Sequence, residues 1–371
     1  MKAVFSNYID QLQNKITSDI EKLDQNVKFK KDSWERKLGG GGLTMVIENG
    51  NVFEKGCVNV SKVHGTLPKV MSEVLGVTES EFFACGISMV FHPKNPMAPT
   101  FHANLRYFEL YKENTKIDSW FGGGLDLTPC YIFEEDISSF HKSCKIVCDK
   151  FNKSYYPKFK RKCDEYFWNS HRNEARGVGG LFFDYCRGKS NKEITHWLSF
   201  VKELGNNFMD PYLEIIKRRT KMNYNTENIN WQHLRRGRYV EFNLLHDKGT
   251  LFGIKTQGRI ESILMSLPPA ARWNYNYIPK EYKIPTDVDY FHCTSNNTIY
   301  GTQMKEFPAT PSLMVCDMSS DIFSKKVNVA DFDLIYAGAQ KNMGPAGTTL
   351  VIVKDEVNSK CTLAANNKYY S

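Results

Sequence analysis

A run at residues 101–111 places side chains that bind anions and transfer protons at every second position. His102, Asn104 and Arg106 alternate with apolar residues, so they would share one face of a β-strand. Arg106 can bind a carboxylate in a two-pronged geometry, and Asn104 can add a hydrogen bond. A solvent-facing strand would show the same alternation, but apolar residues continue the polar positions at the far end. A face that is polar at one end and apolar at the other suits the wall of a pocket.

Three further segments set a carboxylate or a cation beside glycine. Asp126 follows three glycines in "WFGGGLDLTP", Arg176 lies in "HRNEARGVGGLFFD", and Arg259 follows Gly258 in "KTQGRIESILMSLPP". Glycine lets a ligand or another strand approach the backbone closely, although a lone aspartate there is also typical of a turn. Together with the strand, these segments predict a pocket for a large, partly apolar ligand with several carboxylates.

Composition excludes several classes of protein. The chain has 371 residues, 41% hydrophobic content and a formal charge of +8, which is a globular composition. Lysine and arginine are scattered among acidic residues, so we expect no nucleic-acid partner. Charges within the first twenty residues argue against a signal sequence, and no apolar run is long enough for a membrane span. Ten cysteines without a CxxC pair favour reduced thiols and a cytoplasmic location.

Two other patterns resemble a metal site and a phosphate loop, but each has a simpler structural interpretation. Cys144 and Cys148 lie near His141, but one helical turn between cysteines on an apolar face is more typical of a core. The glycine run at 39–42 resembles a phosphate loop, yet it precedes a strand and lacks the following Lys-Ser/Thr.

Periodicity predicts the elements that position these residues. Apolar residues spaced by three and four over 5–23 predict an amphipathic helix, and Asn49-Gly50 predicts a hairpin. Further strands are predicted at 82–92, 101–111, 179–186, 238–247 and 262–269, and helices at 137–151 and 159–167. Grouped strands and helices indicate an α+β fold with a large, mostly antiparallel sheet flanked by helices. Short apolar runs broken by glycine and proline follow a junction near 281–287.

The long ordered motifs "ISMVFHPKNPMAPTFHANLRYF", "WFGGGLDLTP", "HRNEARGVGGLFFD" and "GRIESILMSLPPAARWNYNYIP" resemble oxygen-dependent coproporphyrinogen III oxidase, from the N-terminus to about Lys280. The resemblance implies the fold of that family over 1–281. It also implies oxidative decarboxylation of two propionates of coproporphyrinogen III to vinyls, giving protoporphyrinogen IX. Dioxygen would be the acceptor, no organic cofactor would be used, and the enzyme would be a homodimer.

The resemblance also assigns roles position by position. His102 matches the proposed proton donor, and Asp126 the carboxylate proposed to face the pyrrole N–H groups. The positions that match substrate-binding residues are Ser88, Asn104, Leu105, Arg106, Arg176, Gln257, Gly258 and Arg259.

A divalent-metal site is implied by matches to bacterial members at His92, His102, His141 and His171. A cofactor-free oxidase does not need this metal, and His102 cannot easily be both a tight ligand and a proton donor. Two positions depart from the family pattern. Gln257 replaces a glycine, which matters if the backbone there has a positive φ, and Lys248 replaces a common arginine.

The segment 282–356 resembles the middle of phosphoserine aminotransferase. Lys341 matches the lysine that forms a Schiff base with pyridoxal phosphate, while Asp317, Thr298 and Gln340 match other cofactor positions. Most of that family's chain is missing, so we expect 282–371 to be a partial, incomplete α/β segment without an independent domain. The leading hypothesis is an active oxidase with a foreign tail. The alternatives are a tetrapyrrole-binding chimera with impaired catalysis and, remotely, a pyridoxal-phosphate aminotransferase.

Overall fold

The computed structural model describes residues 1–78, 80–255, 258–274, 288–297, 302–304, 306–339, 343 and 347–359. Gln257, Thr298, Gln340 and Lys341 lie outside these described residues. The chain divides into two compact units, Met1–Trp273 and Asn274–Ser371. The boundary between 281 and 282 stays a prediction, because residues 275–287 are not described.

The first unit begins with a long helix and continues with a series of strands. Its described elements are α1 (Lys2–Asp24), β1 (Lys30–Glu35), β2 (Gly40–Glu48), β3 (Phe53–Thr66), α2 (Lys69–Leu75), β4 (Glu81–Pro93), β5 (Thr100–Lys112), β6 (Thr115–Thr128), α3 (Glu134–Asp149), α4 (Tyr155–Tyr166), β7 (Trp168–Asn169), β8 (Glu174–Ala175), β9 (Gly179–Arg187), α5 (Asn191–Asn207), α6 (Met209–Arg219), α7 (Thr226–Leu245), α8 (Lys248–Lys255) and α9 (Ile260–Leu264). The predicted opening helix is confirmed as α1.

A seven-stranded antiparallel sheet organises the described part of this unit, in the order β1-β2-β3-β4-β5-β6-β9. Tight turns set its register. Asn49, with a φ of 59°, turns β2 into β3 as the sequence predicted. Glu113 and Asn114, with φ of 48° and 61°, join β5 to β6, and two successive positive φ values match the twist of a type I′ hairpin. The predicted α+β fold with a large antiparallel sheet is therefore confirmed.

The two faces of the sheet have different coverings. On one face, α1, α3, α5 and α6 bury a large apolar core with residues such as Phe101, Ala103 and Leu105 of β5. On the other face, a smaller cluster joins Cys57 and Val90 to Tyr239 of α7 and to Met265. The intervening residues of β5 lie on this second face and are only half-buried.

Two segments predicted as strands contain helix and no strand, and those predictions were wrong. Residues 238–247 lie mostly within α7, and 262–269 begins inside α9. Tyr239, Val240 and Phe242 are residue types common in strands, and they favoured a strand at 238–247. The decisive local signal lies upstream, where Asn225 and Asn228 form a reciprocal capping box that starts α7.

The predicted core role of the cysteine pair agrees with the structure, since Cys144 and Cys148 are buried in the main apolar core. The nine cysteines within the described residues are free thiols. Among the described helices, none has the length and apolar character that a membrane crossing requires.

The second unit contains a small sheet. Its described strands are β10 (Tyr290–Thr294), β11 (Asn296–Asn297), β12 (Thr302–Gln303), β13 (Leu313–Asp317), β14 (Leu334–Gly338) and β15 (Thr349–Val353). β10, β13 and β14 pair in parallel, and β15 pairs antiparallel with β14. Cys293, Cys316 and Ile335 belong to its separate apolar core. This arrangement agrees with the predicted short α/β-like fragment.

Candidate active site

The half-buried face of β5 carries the side chains that the sequence singled out. His102, Asn104 and Arg106 alternate with fully buried residues, which confirms that they share one face. Antiparallel pairing sets His102 opposite Asp126 of β6 and sets Asn104 opposite Ser88 of β4. Four of the predicted site residues are therefore cross-strand neighbours on one surface.

Polar residues continue across the sheet from this point. Asp32, Thr44, Asn59, Ser88 and Asn104 are successive cross-strand partners from β1 to β5, and we call them the polar row. The Thr44 hydroxyl donates to Asn59 Oδ1 at 2.8 Å and accepts from Trp34 Nε1 at 3.1 Å. Four strand spacings of about 4.8 Å give the polar row a length of roughly 19 Å.

An arginine stands at each end of the polar row. Arg106 contacts Asn104 Oδ1 at 2.7 Å and Asp184 Oδ2 at 2.8 Å, and its side chain is 38% exposed. Arg259 contacts Asp32 Oδ2 at 2.5 Å and the Ser262 hydroxyl at 3.1 Å. Both guanidinium groups are accessible enough to exchange these carboxylates for those of a ligand.

Glycines keep the floor of this face low. A Cβ atom at Gly122 would lie 2.5 Å from Asp184 Oδ1 and 2.8 Å from Arg106 Nε, where no side-chain atom fits. Gly180 pairs with Asp126, and a Cβ there would lie 2.1 Å from the Leu125 carbonyl oxygen. Gly122 of β6 therefore leaves room for Arg106 and Asp184, and Gly180 lets β9 lie close to Asp126 of β6.

Asp126 is the centre of a buried ionic cluster. It is 1% exposed and accepts from His102 Nδ1 at 2.7 Å. Arg176, which is 2% exposed, donates through Nη2 to both oxygens of Asp126, at 2.8 and 2.7 Å. The Thr128 hydroxyl adds a longer bond of 3.4 Å. Residues 50 positions apart in the chain thus form one bonded group.

Charge keeps this carboxylate ionised. Burial works to raise the pKa of Asp126, but the Arg176 guanidinium and the His102 ring outweigh it and hold the pKa below its usual value. Burial works to lower the pKa of Arg176, and the Asp126 charge reverses that effect, so the pKa is raised. The imidazole of His102 is therefore bonded to a carboxylate that stays charged, and no described residue hydrogen-bonds its Nε2.

Aromatic rings and α7 surround Arg176. Its guanidinium carbon lies 3.9 Å from the ring centre of Phe167, 4.7 Å from Tyr239 and 4.8 Å from Phe242. Arg176 Nη1 also donates to Asn243 Oδ1 at 3.3 Å. Sequence reasoning missed Tyr239 and Asn243, because it treated their segment as a strand. Their spacing of four was the signal that would have placed both on one helical face.

The remaining predicted binding residues have distinct surroundings. Leu105 is 1% exposed and faces the apolar core, so only its backbone can contact a ligand on the polar face. Gly258 lies against the Gly253 carbonyl, directly before Arg259. Gln257 lies outside the part of the chain that the structure describes.

The four histidines suggested as metal ligands have separate partners. His92 is hydrogen-bonded to Thr100 and the Ser266 carbonyl, and His102 is hydrogen-bonded to Asp126. His141 is hydrogen-bonded to Tyr156 and the Val178 carbonyl, and His171 to Glu241 and His246. Burial, and then the Arg236 charge, lower the pKa of His92 to about 3. Within the described residues, no three His, Cys, Asp or Glu side chains are grouped so that they could hold a metal. These histidines do not fit a shared metal site.

Asp317 is the one predicted pyridoxal-site residue that the structure describes. It ends β13, and its Oδ1 accepts from the Ser319 backbone N–H at 2.8 Å. Thr298, Gln340 and Lys341 are outside the described residues, so their grouping with Asp317 stays a prediction.

The arrangement in the first unit suits acid–base chemistry on an anionic ligand. A buried, ionised carboxylate orients an imidazole, and two accessible arginines flank a polar surface. A carboxylate–imidazole pair can hold or release a proton. The two arginines can bind two carboxylates, one at each end of the polar row.

Comparison with known families covers nearly the whole chain. A profile described as coproporphyrinogen III oxidase matches residues 4–298. Coproporphyrinogen-III oxidase 1, chloroplastic, from Arabidopsis thaliana is 47% identical over 292 residues, which are 76% of this chain and 75% of that protein. The oxygen-dependent coproporphyrinogen-III oxidase of Francisella philomiragia is 46% identical over 74% of this chain and 92% of its own length.

The C-terminal part matches a different family. A profile described as aminotransferase class-V matches residues 259–365. The solved phosphoserine aminotransferase from Bacillus circulans subsp. alkalophilus is 39% identical over 26% of this chain, with a TM-score of 0.23. This chain spans 31% of that enzyme.

Proposed function

Since the chain belongs to the coproporphyrinogen III oxidase family, we propose that it converts two propionates of coproporphyrinogen III to vinyl groups, giving protoporphyrinogen IX. Dioxygen is the co-substrate, in keeping with the names of the oxygen-dependent relatives. In each step, a propionate R–CH2–CH2–COO− reacts with O2 and a proton to give R–CH=CH2, CO2 and H2O2. The propionate loses CO2 and a hydride equivalent, and O2 gains the two electrons.

One observation carries this proposal. The bonded group of His102, Asp126 and Arg176 lies on the glycine-floored face of the sheet, beside a polar row with an arginine at each end. A macrocycle with peripheral carboxylates and central N–H groups matches that distribution of cations and acceptors. Arg106 and Arg259 are the proposed propionate-binding residues, with Ser88, Asn104 and Gly258 beside them.

His102 is the proposed proton-transfer residue. Its Nδ1 is held by Asp126, and its side chain is 16% exposed, so Nε2 is the nitrogen that can exchange a proton with a ligand. The ionised Asp126 fixes the ring orientation and stabilises the protonated imidazole. The ion pair with Arg176 offsets the free-energy cost of burying the Asp126 carboxylate.

Asp126 is the proposed catalytic carboxylate. Both of its oxygens accept hydrogen bonds from Arg176, and one also accepts from His102. Each carboxylate oxygen offers two lone-pair sites, so a pyrrole N–H can replace the long Thr128 bond to Oδ2 without removing the guanidinium. Such a bond would place the macrocycle centre over β6.

Several finer statements complete the proposal. The enzyme works without an organic cofactor, as a homodimer in the cytoplasm. The proposed steps use no divalent metal, because the histidines suggested as its ligands do not form one site among the described residues. Sedimentation of the purified chain tests the dimer.

The C-terminal unit is proposed to be a passenger that is similar to a fragment of phosphoserine aminotransferase. We propose no transaminase activity for it, since most of that family's chain is absent. A pyridoxal absorbance band in the purified chain that disappears in Lys341→Ala would contradict this.

Aerobic turnover of coproporphyrinogen III by the purified full chain tests the main function. The expected result is two successive decarboxylations, with one O2 consumed per vinyl group formed. The product is measured by its fluorescence after oxidation to the porphyrin. A folded chain that binds coproporphyrinogen III without consuming O2 would replace the oxidase by the binding-only alternative. A matched chain ending at residue 281 separates an inhibitory tail from an incompetent site.

A further inference from the structure

Two cysteines face each other across neighbouring strands of the second unit. Cys293 of β10 and Cys316 of β13 are paired in register, and the two strands run parallel. Neighbouring strands lie about 4.8 Å apart, which is within the Cα separation of about 4.4–6.8 Å that a disulfide requires. Residues paired in register also project their side chains to the same side of the sheet. The backbone therefore sets this pair at a separation that a disulfide can span.

Side-chain contacts place the two thiols in one buried space. Cys293 Sγ donates to Met314 Sδ at 3.9 Å, and Met314 lies two residues before Cys316, on the same face of β13. Both cysteines belong to one apolar cluster, with exposures of 8% and 0%. The two thiols are hydrogen-bonded to each other, and both are free. The structure thus holds a reduced dithiol.

The position of β10 allows the pair to react. Among the described strands of this sheet, β10 lies at one edge, and three of its five residues are exposed. Edge strands open locally, which admits a small oxidant and lets the backbone adjust to a new bond. Cys144 and Cys148 differ in this respect, because the backbone hydrogen bonds of α3 hold them one helical turn apart inside the main core.

The hydrogen bond between the thiols gives them different roles. It lowers the pKa of Cys293, whereas the same bond, together with burial, raises the pKa of Cys316. Since the thiolate is the nucleophile in thiol oxidation, Cys293 is the residue that reacts first. Cys316 keeps its proton and is the neighbouring thiol that completes a disulfide.

We propose that Cys293 and Cys316 are a peroxide-sensitive dithiol, which hydrogen peroxide oxidises to a disulfide between β10 and β13. This inference rests on the proposed function only for the source of the peroxide, since each vinyl group formed releases one H2O2. The disulfide would fasten the edge strand to its neighbour. We therefore expect amide exchange in β10 to slow by about ten-fold on oxidation.

The oxidation takes two steps. The Cys293 thiolate attacks one peroxide oxygen, the O–O bond breaks, and hydroxide leaves, which gives a sulfenic acid. Cys316 Sγ then attacks the sulfenic sulfur, the S–O bond breaks, and the second hydroxide leaves. The protons of the two thiols convert both hydroxides to water. Two thiols thus lose two electrons, and one H2O2 gains them to give two waters.

Peptide mapping of the full chain tests the dithiol. Trypsin cleaves after lysine, so the two cysteines fall in separate peptides, 284–305 and 306–325, each with one cysteine. After treatment with added H2O2 and alkylation of free thiols, we expect these peptides to be joined and to separate on reduction. The joined fraction should exceed that of the peptides with Cys144 and Cys148 by about ten-fold.

Two variants define the roles of the thiols. Cys316→Ser should give no joined peptides, and dimedone should trap a sulfenic acid on Cys293. Cys144→Ser is the matched control and should leave the joined fraction unchanged. Free thiols at both positions in the peroxide-treated unsubstituted chain would overturn the proposal. Oxidation of Met314 to the sulfoxide without joined peptides would overturn it too.

Turnover separates the dithiol from the proposed function. In a chain that consumes O2 with coproporphyrinogen III, joined peptides should form without added peroxide, and catalase should suppress them. Turnover without joined peptides would overturn the reaction product as the oxidant. Joined peptides after added H2O2, in a folded chain that does not turn over, would retain the dithiol and reject the oxidase function.

Discussion

The two faces of the seven-stranded sheet use the same strands for different purposes. In β5, Leu105 packs into the apolar core, while its neighbours Asn104 and Arg106 lie on the polar face. The core face is held by apolar contact area, which tolerates no gaps but needs no charge. The polar face is held by ion pairs whose partners come from distant segments. Alternation along a strand thus separates stability from chemistry at the spacing of one residue.

Asp126→Asn should have the largest effect, a loss of turnover without a loss of the fold. Loss of the carboxylate removes the group that orients His102, and we expect turnover to fall by about a thousand-fold. Circular dichroism should show an intact fold. The control is Asp118→Asn on the same strand, where the carboxylate pairs with Arg187 at the surface. Near-normal turnover in a folded Asp126→Asn chain would remove Asp126 from catalysis.

Leu105→Ala should give the opposite pattern. The side chain is 1% exposed and fits against Gly123 and Gly205, so its loss leaves a cavity. We expect the free energy of unfolding to fall by about 3 kcal/mol in urea titrations. Turnover per folded molecule should stay within two-fold. The comparison of the two faces would be wrong if Asn104→Ala destabilised the fold as much as Leu105→Ala did.

His92 should make the stability of the fold depend on pH. Its folded pKa of about 3 lies below the ordinary 6.5, so its contribution to stability is complete above pH 6.5 and is lost as pH falls towards 3. Between pH 7.5 and 5 this amounts to about 2 kcal/mol. We expect His92→Gln to lack this part of the pH dependence in thermal unfolding. If the stability of the two chains changed with pH in the same way, His92 would not be the cause of the loss of stability at acid pH.

Arg106→Lys should give the smallest effect. The charge stays, but the two-pronged contact becomes a single ammonium contact. We expect KM for coproporphyrinogen III to rise about ten-fold with kcat within two-fold. Arg187→Lys, which alters the surface pair with Asp118, is the matched control and should change neither constant. A fall in kcat alone would place Arg106 in the chemical step.

The sequence predicted much of this site because its signals are local. Alternation placed His102, Asn104 and Arg106 on one face, and Asn49-Gly50 fixed the β2–β3 hairpin. Asp126 and Arg176 were each predicted as site residues. Their direct pairing was not predicted, because it depends on how β6 and β9 lie side by side.

The misassigned helix α7 explains what was missed. Its β-branched and aromatic residues suit a strand as well as a buried helix, so composition alone did not decide. The capping box of Asn225 and Asn228 favours the helix, but it lies upstream of the segment 238–247. Tyr239 and Asn243 were lost with it, since their shared face exists only at helical spacing.

The two ends of the polar row differ in how firmly they are held. β1 is an edge strand, and five of its six residues are exposed, whereas the Arg106 end lies between β4 and β6, inside the sheet. Edge strands open locally far more often than central ones, so amide exchange should be fastest at Asp32 and slowest near Asp126. The Arg259 anchor therefore rests on the strand that frays first. Thermal breathing would release a bound propionate from that end while the buried ionic cluster stays closed.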